Sequence, residues 1–164
     1  LTGLPNLQLG RDRLAMALSR GRRNGMLTAV LFMDLDGFKQ VNDSWGHDAG
    51  DVVLCETAER LFAAIRESDT VARIGGDEFL FIITDLRGAD TAAHIAGKII
   101  ELVSRPVTVG VHIATVGASI GIAIAPKDGD EIEEIIKAAD EAMYRVKNAG
   151  KNGYAFAGER PAKG

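Results

Sequence analysis

The sequence has little cysteine and no long apolar run. Cys55 is the single cysteine among 164 residues, so an internal disulfide is excluded, and such usage is typical of a reducing compartment. Cys55 falls beside the apolar stripe of a helical segment, and we expect a small residue at or near the core. No apolar stretch reaches the roughly eighteen residues that a membrane span needs. We therefore expect a cytoplasmic domain without membrane contact of its own, although absent segments could anchor a longer protein.

An excess of positive charge is also lacking. The chain has 19 Lys and Arg against 23 Asp and Glu, a net charge of −4, so no basic face for nucleic acid is expected. With 46% hydrophobic residues the chain can bury one good core, but it is too short for two ordinary domains. Gly158 to Gly164 are rich in glycine, proline and charge, and we expect a flexible tail there.

The stretch from Val71 to Leu80 places a Gly-Gly pair and two adjacent acids between two apolar, strand-like runs. Apolar alternation that breaks at Gly75-Gly76 and resumes at once predicts a tight hairpin, whose glycines leave no side chain to obstruct a ligand. Asp77 and Glu78 repel each other at its tip, which indicates a cation or a proton-transfer task. A solvated acidic hairpin is the alternative.

A continuous apolar run from Thr28 to Leu35 predicts a central strand that is covered on both faces and carries Asp34 at its carboxyl end. A short helix is expected after Gly37, and the backbone N–H groups at its start suit an anion. If the hairpin pairs beside this strand, Asp34 and Asp77 converge. Two carboxylates and a main-chain carbonyl would then form an oxygen-rich site for Mg²⁺, which normally binds substrate phosphates as well. The implied substrate is a nucleoside triphosphate.

Helical and extended patterns alternate along the chain. Helical periodicity predicts further helices at 8–22, 49–65, 92–103 and 132–148. Residues 106–111 and 114–125 are predicted to pair as two strands, with the turn near Gly110. The elements indicate an α/β domain in which helices cover an open mixed sheet.

Several segments match one family in their order and spacing. These are Leu1 to Asn6, Asp34 to Asp43, Gly46 to Asp51, Gly75 to Phe79, Ala118 to Ala123 and Ala139 to Asn152. On these residues the chain resembles the GGDEF domains, the diguanylate cyclases, which join two GTP into cyclic di-GMP and release two pyrophosphates. The resemblance implies a ferredoxin-like, palm-type α+β fold with a mostly antiparallel sheet over residues 1–157. It also implies a piece of a longer protein with sensory or EAL-type domains.

The resemblance assigns chemistry to the two acidic positions. It implies that Asp34, the Leu35 carbonyl and Asp77 hold Mg²⁺, with Mn²⁺ as a possible substitute. Asp77 would accept the proton of the attacking hydroxyl, with Glu78 as the second candidate. Lys39 would stabilise the charge that develops in the transition state.

The resemblance also implies a set of substrate-binding positions. They are Gly37, Phe38, Asn42, His47, Asp51, Gly75, Gly76, Lys147 and Lys151. Asn42 and Asp51 would bind the guanine base, although judged alone each is better explained as a helix cap or turn residue. His47 either orders its loop or contacts the nucleotide, whereas His94 and His112 match no motif and are expected to be structural.

Two positions depart from the usual pattern of the family. Lys147 and Lys151 are expected to lie on one helical face and clamp the β- and γ-phosphates. Lys151 replaces an arginine, which keeps the charge but loses the planar fork and leaves GTP affinity open. Leu7 also replaces an arginine, so the anchoring of the amino-terminal turn is open.

Regulation follows from the resemblance as well. One domain holds one GTP, so the product requires a transient antiparallel homodimer. Arg66 and Asp69 resemble an inhibitory site that binds cyclic di-GMP, while an ion pair that closes the preceding helix is the structural alternative. A catalytically weak module that binds GTP or cyclic di-GMP to regulate an attached phosphodiesterase is the alternative function.

Overall fold

A computed structural model describes residues 1–158. The elements in chain order are α1 (Leu7–Asn24), β1 (Leu27–Asp36), α2 (Phe38–Trp45), α3 (His47–Ala64), β2 (Thr70–Gly75), β3 (Glu78–Leu86), α4 (Asp90–Val103), β4 (Val107–Val109), β5 (His112–Ala114), β6 (Gly117–Ala125), α5 (Ile132–Asn148) and β7 (Gly153–Phe156). The predicted helices are all present, and their ends differ from the predicted ones by at most two residues. Of the predicted flexible tail, residues 159–164 lie outside the described part.

The main sheet has the strand order β2-β3-β1-β6-β7. Its strands pair antiparallel, except that β6 and β7 run parallel. The central strand β1 is buried on both faces, as its continuous apolar run predicts. On one face Leu31 and Met33 pack with α3 and α4, and on the other Val30 and Phe32 pack with α1 and α5. This α/β architecture confirms the predicted mixed, mostly antiparallel sheet covered by helices.

The predicted strand pair around Gly110 is wrong in its partner. The turn does lie at Gly110, but β4 pairs with the short β5, and together they form a separate two-stranded sheet. The long strand β6 instead pairs with β1 in the main sheet. Gly117, the first residue of β6, follows β5 closely, so the apolar pattern alone shows no boundary between the two strands. The parallel edge strand β7 was not predicted.

No helix in residues 1–158 is long and apolar enough to cross a membrane. Cys55 is half-buried on α3, and its Sγ donates to the Leu1 carbonyl oxygen at 3.4 Å. The amino-terminal turn is anchored by a backbone hydrogen bond from Arg73 N to Pro5 O at 3.0 Å. Leu7 packs against the apolar layer beneath α1 and α5, so hydrophobic contact accompanies this anchor.

Candidate functional site

The β2–β3 hairpin lies beside the carboxyl end of β1. Asp34 is the register partner of Glu78, and Leu35 N donates to Asp77 O at 3.1 Å. The turn itself is Gly76-Asp77, with Gly76 at a positive φ of 54°. The predicted convergence of the hairpin tip with the end of the central strand is therefore present.

Asp34 and Asp77 lie within hydrogen-bond reach of each other. Burial, the hydrogen bond that it shares with Asp34 and the charge of Asp34 raise the pKa of Asp77 to about 7, although Lys147 opposes this. In residues 1–158, Asp34 Oδ1 is buried and accepts no hydrogen bond. Two carboxylates held this close, one with an unpaired buried oxygen, favour a bound cation or a shared proton.

Glu78 and Asp140 are two further acids close to the Asp34–Asp77 pair. Burial, followed by the charges of Asp34 and Asp140, raises the pKa of Glu78. Asp140 on α5 likewise has its pKa raised by burial, then by Glu141 and Asp34. No role was predicted for Asp140, because its approach to Asp34 depends on how α5 crosses the sheet.

Lys147 is the cation of this cluster. It lies seven residues beyond Asp140 on α5, two helical turns along the same face, and forms an ion pair with Asp34 through Nζ and Oδ2. Burial lowers the pKa of Lys147, but the hydrogen bond with Asp34 and the nearby carboxylates outweigh burial and raise it. The expected phosphate-binding lysine therefore contacts the expected metal ligand.

Lys151 does not lie on one helical face with Lys147. The helix α5 ends at Asn148, and Lys151 follows in a turn with a positive φ of 64°. The Gly150-Lys151 sequence breaks the helix, so the four-residue spacing has no helical meaning there. Lys151 is exposed, as is Lys39 at the second position of α2.

The positions expected to bind the base lie on α2 and α3. Neither side chain caps a helix, since α2 begins after Gly37 and α3 begins after Gly46. Asn42 packs against Gly50, where an added Cβ would come within 1.9 Å of Asn42 Oδ1. That oxygen is buried and has no hydrogen-bond partner in the described residues. Asp51 is exposed in the second turn of α3, and His47 is exposed as its first residue. The helix-cap alternative is therefore wrong for both Asn42 and Asp51.

Three contacts that support the site were not predicted. The Arg73 guanidinium donates twice to Gly76 O, at 3.0 and 2.9 Å, and closes the hairpin tip. Asp36 accepts from Ser119 Oγ at 2.8 Å and from Asn152 N at 2.8 Å, which ties β1 to β6 and to the turn after Lys151. Their partners are distant in sequence or are main-chain atoms, so residue type alone gives no signal.

The third contact is a stack of Trp45 on His112. The ring centroids are 4.7 Å apart and the planes differ by 8°. Trp45 is the last residue of α2, so the stack joins the β4–β5 hairpin to the corner between Asn42 and Asp51. His112 was expected to be structural, and this contact agrees with that expectation.

Arg66 and Asp69 pair with each other at the end of α3. Arg66 Nε donates to Asp69 Oδ2 at 2.9 Å, and the Asp69 side chain is 0% exposed. Asp69 also accepts from the backbone N of Arg66 and of Thr84, both at 3.1 Å. The structural explanation of this pair is therefore present in the fold, whereas ligand binding there stays a prediction.

No three His, Cys, Asp or Glu side chains within residues 1–158 are placed to hold a metal ion by themselves. The predicted donor set consists of Asp34, Asp77 and the Leu35 carbonyl, and the structure brings the two carboxylates of this set together. Hard oxygen donors that leave several positions to substrate phosphates and water fit Mg²⁺. The unpaired Asp34 Oδ1 agrees with this fit.

A mostly antiparallel sheet with paired carboxylates at the end of its central strand defines a palm-type nucleotidyl cyclase domain. The family model described as diguanylate cyclase, GGDEF domain, matches residues 1–153. The chain belongs to the GGDEF family.

Relatives with assigned names agree with the family. The chain is 49% identical over 156 residues to the bifunctional diguanylate cyclase/cyclic di-GMP phosphodiesterase MucR of Pseudomonas aeruginosa, which covers 95% of this chain but 23% of MucR. It is 40% identical to the response regulator PleD of Caulobacter vibrioides, over 93% of this chain and 34% of PleD. The chain thus spans about a quarter to a third of these relatives.

A solved structure agrees with the fold. The GGDEF domain of TpbB (YfiN) from Pseudomonas aeruginosa superposes with a TM-score of 0.94 at 37% identity, covering 98% of this chain and 100% of that one. The described fold is therefore that of a GGDEF domain.

Proposed function

We propose that this domain is a diguanylate cyclase, which condenses two GTP into cyclic di-GMP and releases two pyrophosphates. The observation that carries the proposal is the convergence of Asp34 and Asp77, with the buried Asp34 Oδ1 unpaired, beside Lys147. Membership of the family supports GTP as the nucleotide. The activity of the whole protein around this domain is part of the proposal.

Different residues around these two carboxylates are proposed to bind different parts of the GTP substrate. Asn42 offers a buried acceptor with no partner in the described chain, and Asp51 an exposed carboxylate, on two helices joined at Gly46. We assign the guanine base to this pair. The start of α2, with Gly37, Phe38 and Lys39, lies between Asp34 and Asn42 in the chain and would bind the phosphates through backbone N–H groups and one ammonium. Gly75 and Gly76 leave the hairpin open to the nucleotide.

The metal would be held by Asp34, Asp77 and the Leu35 carbonyl, as Mg²⁺ or Mn²⁺. When bound, it would neutralise phosphate charge and favour ionisation of the attacking 3′-hydroxyl. Lys147 and Lys151 would bind the β- and γ-phosphates, on which charge accumulates as pyrophosphate leaves.

The proton of the attacking 3′-hydroxyl passes to Asp77. The bond from O3′ to the α-phosphorus forms while the bond from that phosphorus to the bridging oxygen breaks, and pyrophosphate carries the electron pair away. A carboxylate whose pKa is raised to about 7 is well matched to a proton-transfer step near neutral pH. Glu78 on the adjacent strand position is the second candidate for this role.

Two such steps join two nucleotides head to tail, and one domain holds one GTP. The proposal therefore includes an antiparallel homodimer in which each 3′-hydroxyl faces the other α-phosphate. Holding the reactants in this way can supply roughly 7 to 11 kcal/mol of barrier reduction. Arg66 and Asp69 are proposed to bind accumulated cyclic di-GMP and inhibit the dimer.

The deciding experiment is to incubate the domain with GTP and Mg²⁺ and to separate the products by chromatography. Cyclic di-GMP and pyrophosphate in a ratio of one to two are expected. Asp77→Asn should reduce turnover by at least about a hundredfold, because it removes both a metal ligand and the base. Asp90→Asn, at an exposed acid of α4, is the matched control and should retain full turnover.

GTP binding without product by the unaltered domain would overturn the enzymatic proposal. It would favour a module that regulates an attached phosphodiesterase, an activity that the bifunctional relative combines with a cyclase in one chain. Near-native product formation by Asp77→Asn would instead overturn the assignment of the site.

A further inference from the structure

The ion pair between Lys147 and Asp34 joins two residues that the reaction needs apart. Asp34 is proposed to bind metal and Lys147 to bind phosphate, yet in the structure the two side chains form an ion pair with each other. Their side chains are 14% and 27% exposed, respectively, so water screens the pair only in part. A cation therefore already occupies one oxygen of the metal ligand.

A divalent ion and the lysine compete for this place. Lys147 contacts Oδ2 of Asp34, whereas Oδ1 is buried and has no hydrogen-bond partner within residues 1–158. A metal that enters alone must either displace the ammonium or lie beside it and be repelled. If the ammonium is displaced without a new partner, a partly buried charge is left uncompensated, which is unfavourable.

The backbone of Lys147 is not free to move away. An added Cβ at Gly121 of β6 would come within 1.9 Å of Ala139 O and 2.3 Å of Met143 N, so α5 lies directly on the sheet one to two turns before Lys147. Met143 and Val146, on the same helix, are buried. Only the flexible side chain can exchange partners, and its partial exposure leaves it a path to the substrate side.

We propose that Lys147 is a placeholder cation, which neutralises Asp34 until metal and triphosphate arrive together and then transfers its ion pair to the triphosphate. This inference rests on the proposed function, since it needs a metal at Asp34 and phosphates nearby. It makes metal binding and triphosphate binding mutually dependent, because each supplies what the other requires: the metal replaces the ammonium on Asp34, and the phosphates receive the ammonium.

Titration of the nucleotide-free domain with Mn²⁺, followed by the electron paramagnetic resonance of free Mn²⁺, tests the placeholder. Lys147→Met keeps most of the length of the lysine side chain but removes its charge. Mn²⁺ should bind to this variant at least about fivefold more tightly than to the wild type, a factor at the lower end of the coupling usually found between two sites. Lys151→Met is the matched control. It removes the other lysine that is proposed to bind phosphate, which has no ion pair with Asp34 within residues 1–158, and should leave Mn²⁺ affinity unchanged.

A measurement of GTP affinity completes the test, because Lys147→Met should bind GTP more weakly although it binds Mn²⁺ more tightly. Both lysine variants should bind GTP more weakly, because each loses a phosphate contact, so only Lys147→Met should gain metal while losing nucleotide. Unchanged or weaker Mn²⁺ binding by Lys147→Met, or none detectable in either protein, would overturn the placeholder. The readout is independent of turnover: a domain that makes no cyclic di-GMP yet shows the Mn²⁺ gain would contradict the proposed function alone.

Discussion

At the scale of single residues, the site is a balance of charge around Asp34. The negative groups near Asp34 are Asp77, Glu78 and Asp140, and the positive group is Lys147. Burial first, and then the charges of neighbouring carboxylates, raise the pKa of Asp77, Glu78 and Asp140, and Lys147 opposes this at Asp77 and Glu78. A bound metal and the lysines would therefore stabilise the ionised form of these carboxylates as well as bind the substrate.

The raised pKa of Asp77 predicts a pH dependence of stability. Its folded pKa of about 7 lies above its ordinary value of 3.8, so its contribution is present in acid and is lost as the pH rises through about 7. Between about pH 5 and pH 8, the metal-free wild type should lose on the order of 1 kcal/mol more unfolding free energy than Asp77→Asn, after discounting for solvent screening of a half-exposed group. Urea unfolding at the two pH values measures this difference.

Glu78 and Asp140 titrate in both proteins, so their effects cancel in the comparison of wild type with variant. Parallel stability curves for the two proteins across this range would contradict the assigned environment of Asp77.

The exposed carboxylate of Asp51 predicts base selectivity. It is assigned to the paired N1–H and N2–H₂ donors of guanine, which adenine lacks, and a good bidentate contact contributes roughly 1 to 3 kcal/mol of discrimination. Asp51→Ser should bind GTP more weakly and begin to accept ATP, because a hydroxyl can donate or accept. Chromatography of the products from equimolar GTP and ATP should then show mixed guanine-adenine cyclic dinucleotide.

Asp48→Ser is the matched control for Asp51→Ser, since Asp48 is an exposed acid one turn earlier on α3. It should still make cyclic di-GMP alone. If Asp51→Ser behaves in the same way at wild-type yield, the base is recognised elsewhere.

Residue patterns predicted one half of the site better than the other. Asp34 was predicted at the end of an apolar strand and Asp77 at a Gly-Gly turn, and the assumed pairing of β3 beside β1 brings them together. The contact of Lys147 with Asp34, the hydrogen bonds of Asp36 and the Trp45–His112 stack each join distant segments. They depend on the order of strands and on helix placement, which local pattern does not encode.

At the scale of elements, the approach of α5 to β6 positions Lys147. The pattern of α5 predicted its bounds as the structure has them, and Ile135, Ala139 and Met143 are buried as expected. The pairing of β6 was not predictable in the same way, because its apolar run is compatible with either a hairpin to β4 or a place beside β1. Gly121 agrees with the position of β6 beside β1, because a strand packed closely beneath a helix needs a glycine at the point of contact.

Gly121→Ala should therefore damage both fold and site. The added methyl group would overlap the α5 backbone at 1.9 Å, so the helix must shift, and overpacking of this kind typically destabilises by about 1 to 3 kcal/mol. GTP affinity should fall as well, because Lys147 moves with the helix. Thermal unfolding and equilibrium binding measure the two effects.

Gly97→Ala is the matched control. Gly97 is an exposed glycine of α4 with no atom within 4 Å of an added Cβ, and alanine there should be neutral or stabilise by roughly 0.5 to 1 kcal/mol. A neutral result for Gly121→Ala would show that α5 is not held against the sheet.

At the scale of the whole molecule, the Arg66–Asp69 pair and the nucleotide site lie on different parts of the fold. The pair closes the α3–β2 connection and accepts support from Thr84 on β3, whereas the acids lie at the opposite end of the β2–β3 hairpin. Product bound at the pair would therefore leave the nucleotide site open and act on how two domains face each other.

Arg66→Ala tests this feedback. It should leave initial velocity nearly intact and abolish the late slowdown as cyclic di-GMP accumulates. Because Asp69 is fully buried, the loss of its charged partner should also lower thermal stability, so velocities are compared well below the transition. Calorimetric titration with cyclic di-GMP, in the presence of a saturating GTP analogue that cannot transfer its α-phosphoryl group, measures binding at the product site directly. Unchanged product inhibition and affinity would assign the pair to structure alone.

The requirement for two facing domains predicts a dependence of rate on protein concentration. In the proposed mechanism each domain supplies one GTP, so product should form only in a dimer, and cyclic di-GMP formed per domain should rise with domain concentration and then level off. Fusion of a parallel coiled coil to the amino terminus, which gives an effective concentration on the order of millimolar for a short linker, should restore turnover in dilute solution. A fused coiled coil with charged residues at its core positions is the control and should not restore it.

Mixtures of wild-type and variant domains provide a second test of the facing dimer. Both phosphodiester bonds need an intact Asp77 in each partner, so a large excess of Asp77→Asn should sequester wild-type domains in unproductive dimers and reduce cyclic di-GMP formation per wild-type domain. Asp90→Asn in the same excess should increase total product instead, because its dimers with the wild type are productive. Turnover per domain that is constant across concentrations and indifferent to excess Asp77→Asn would mean that one domain completes the reaction alone, and the facing-dimer mechanism would fall.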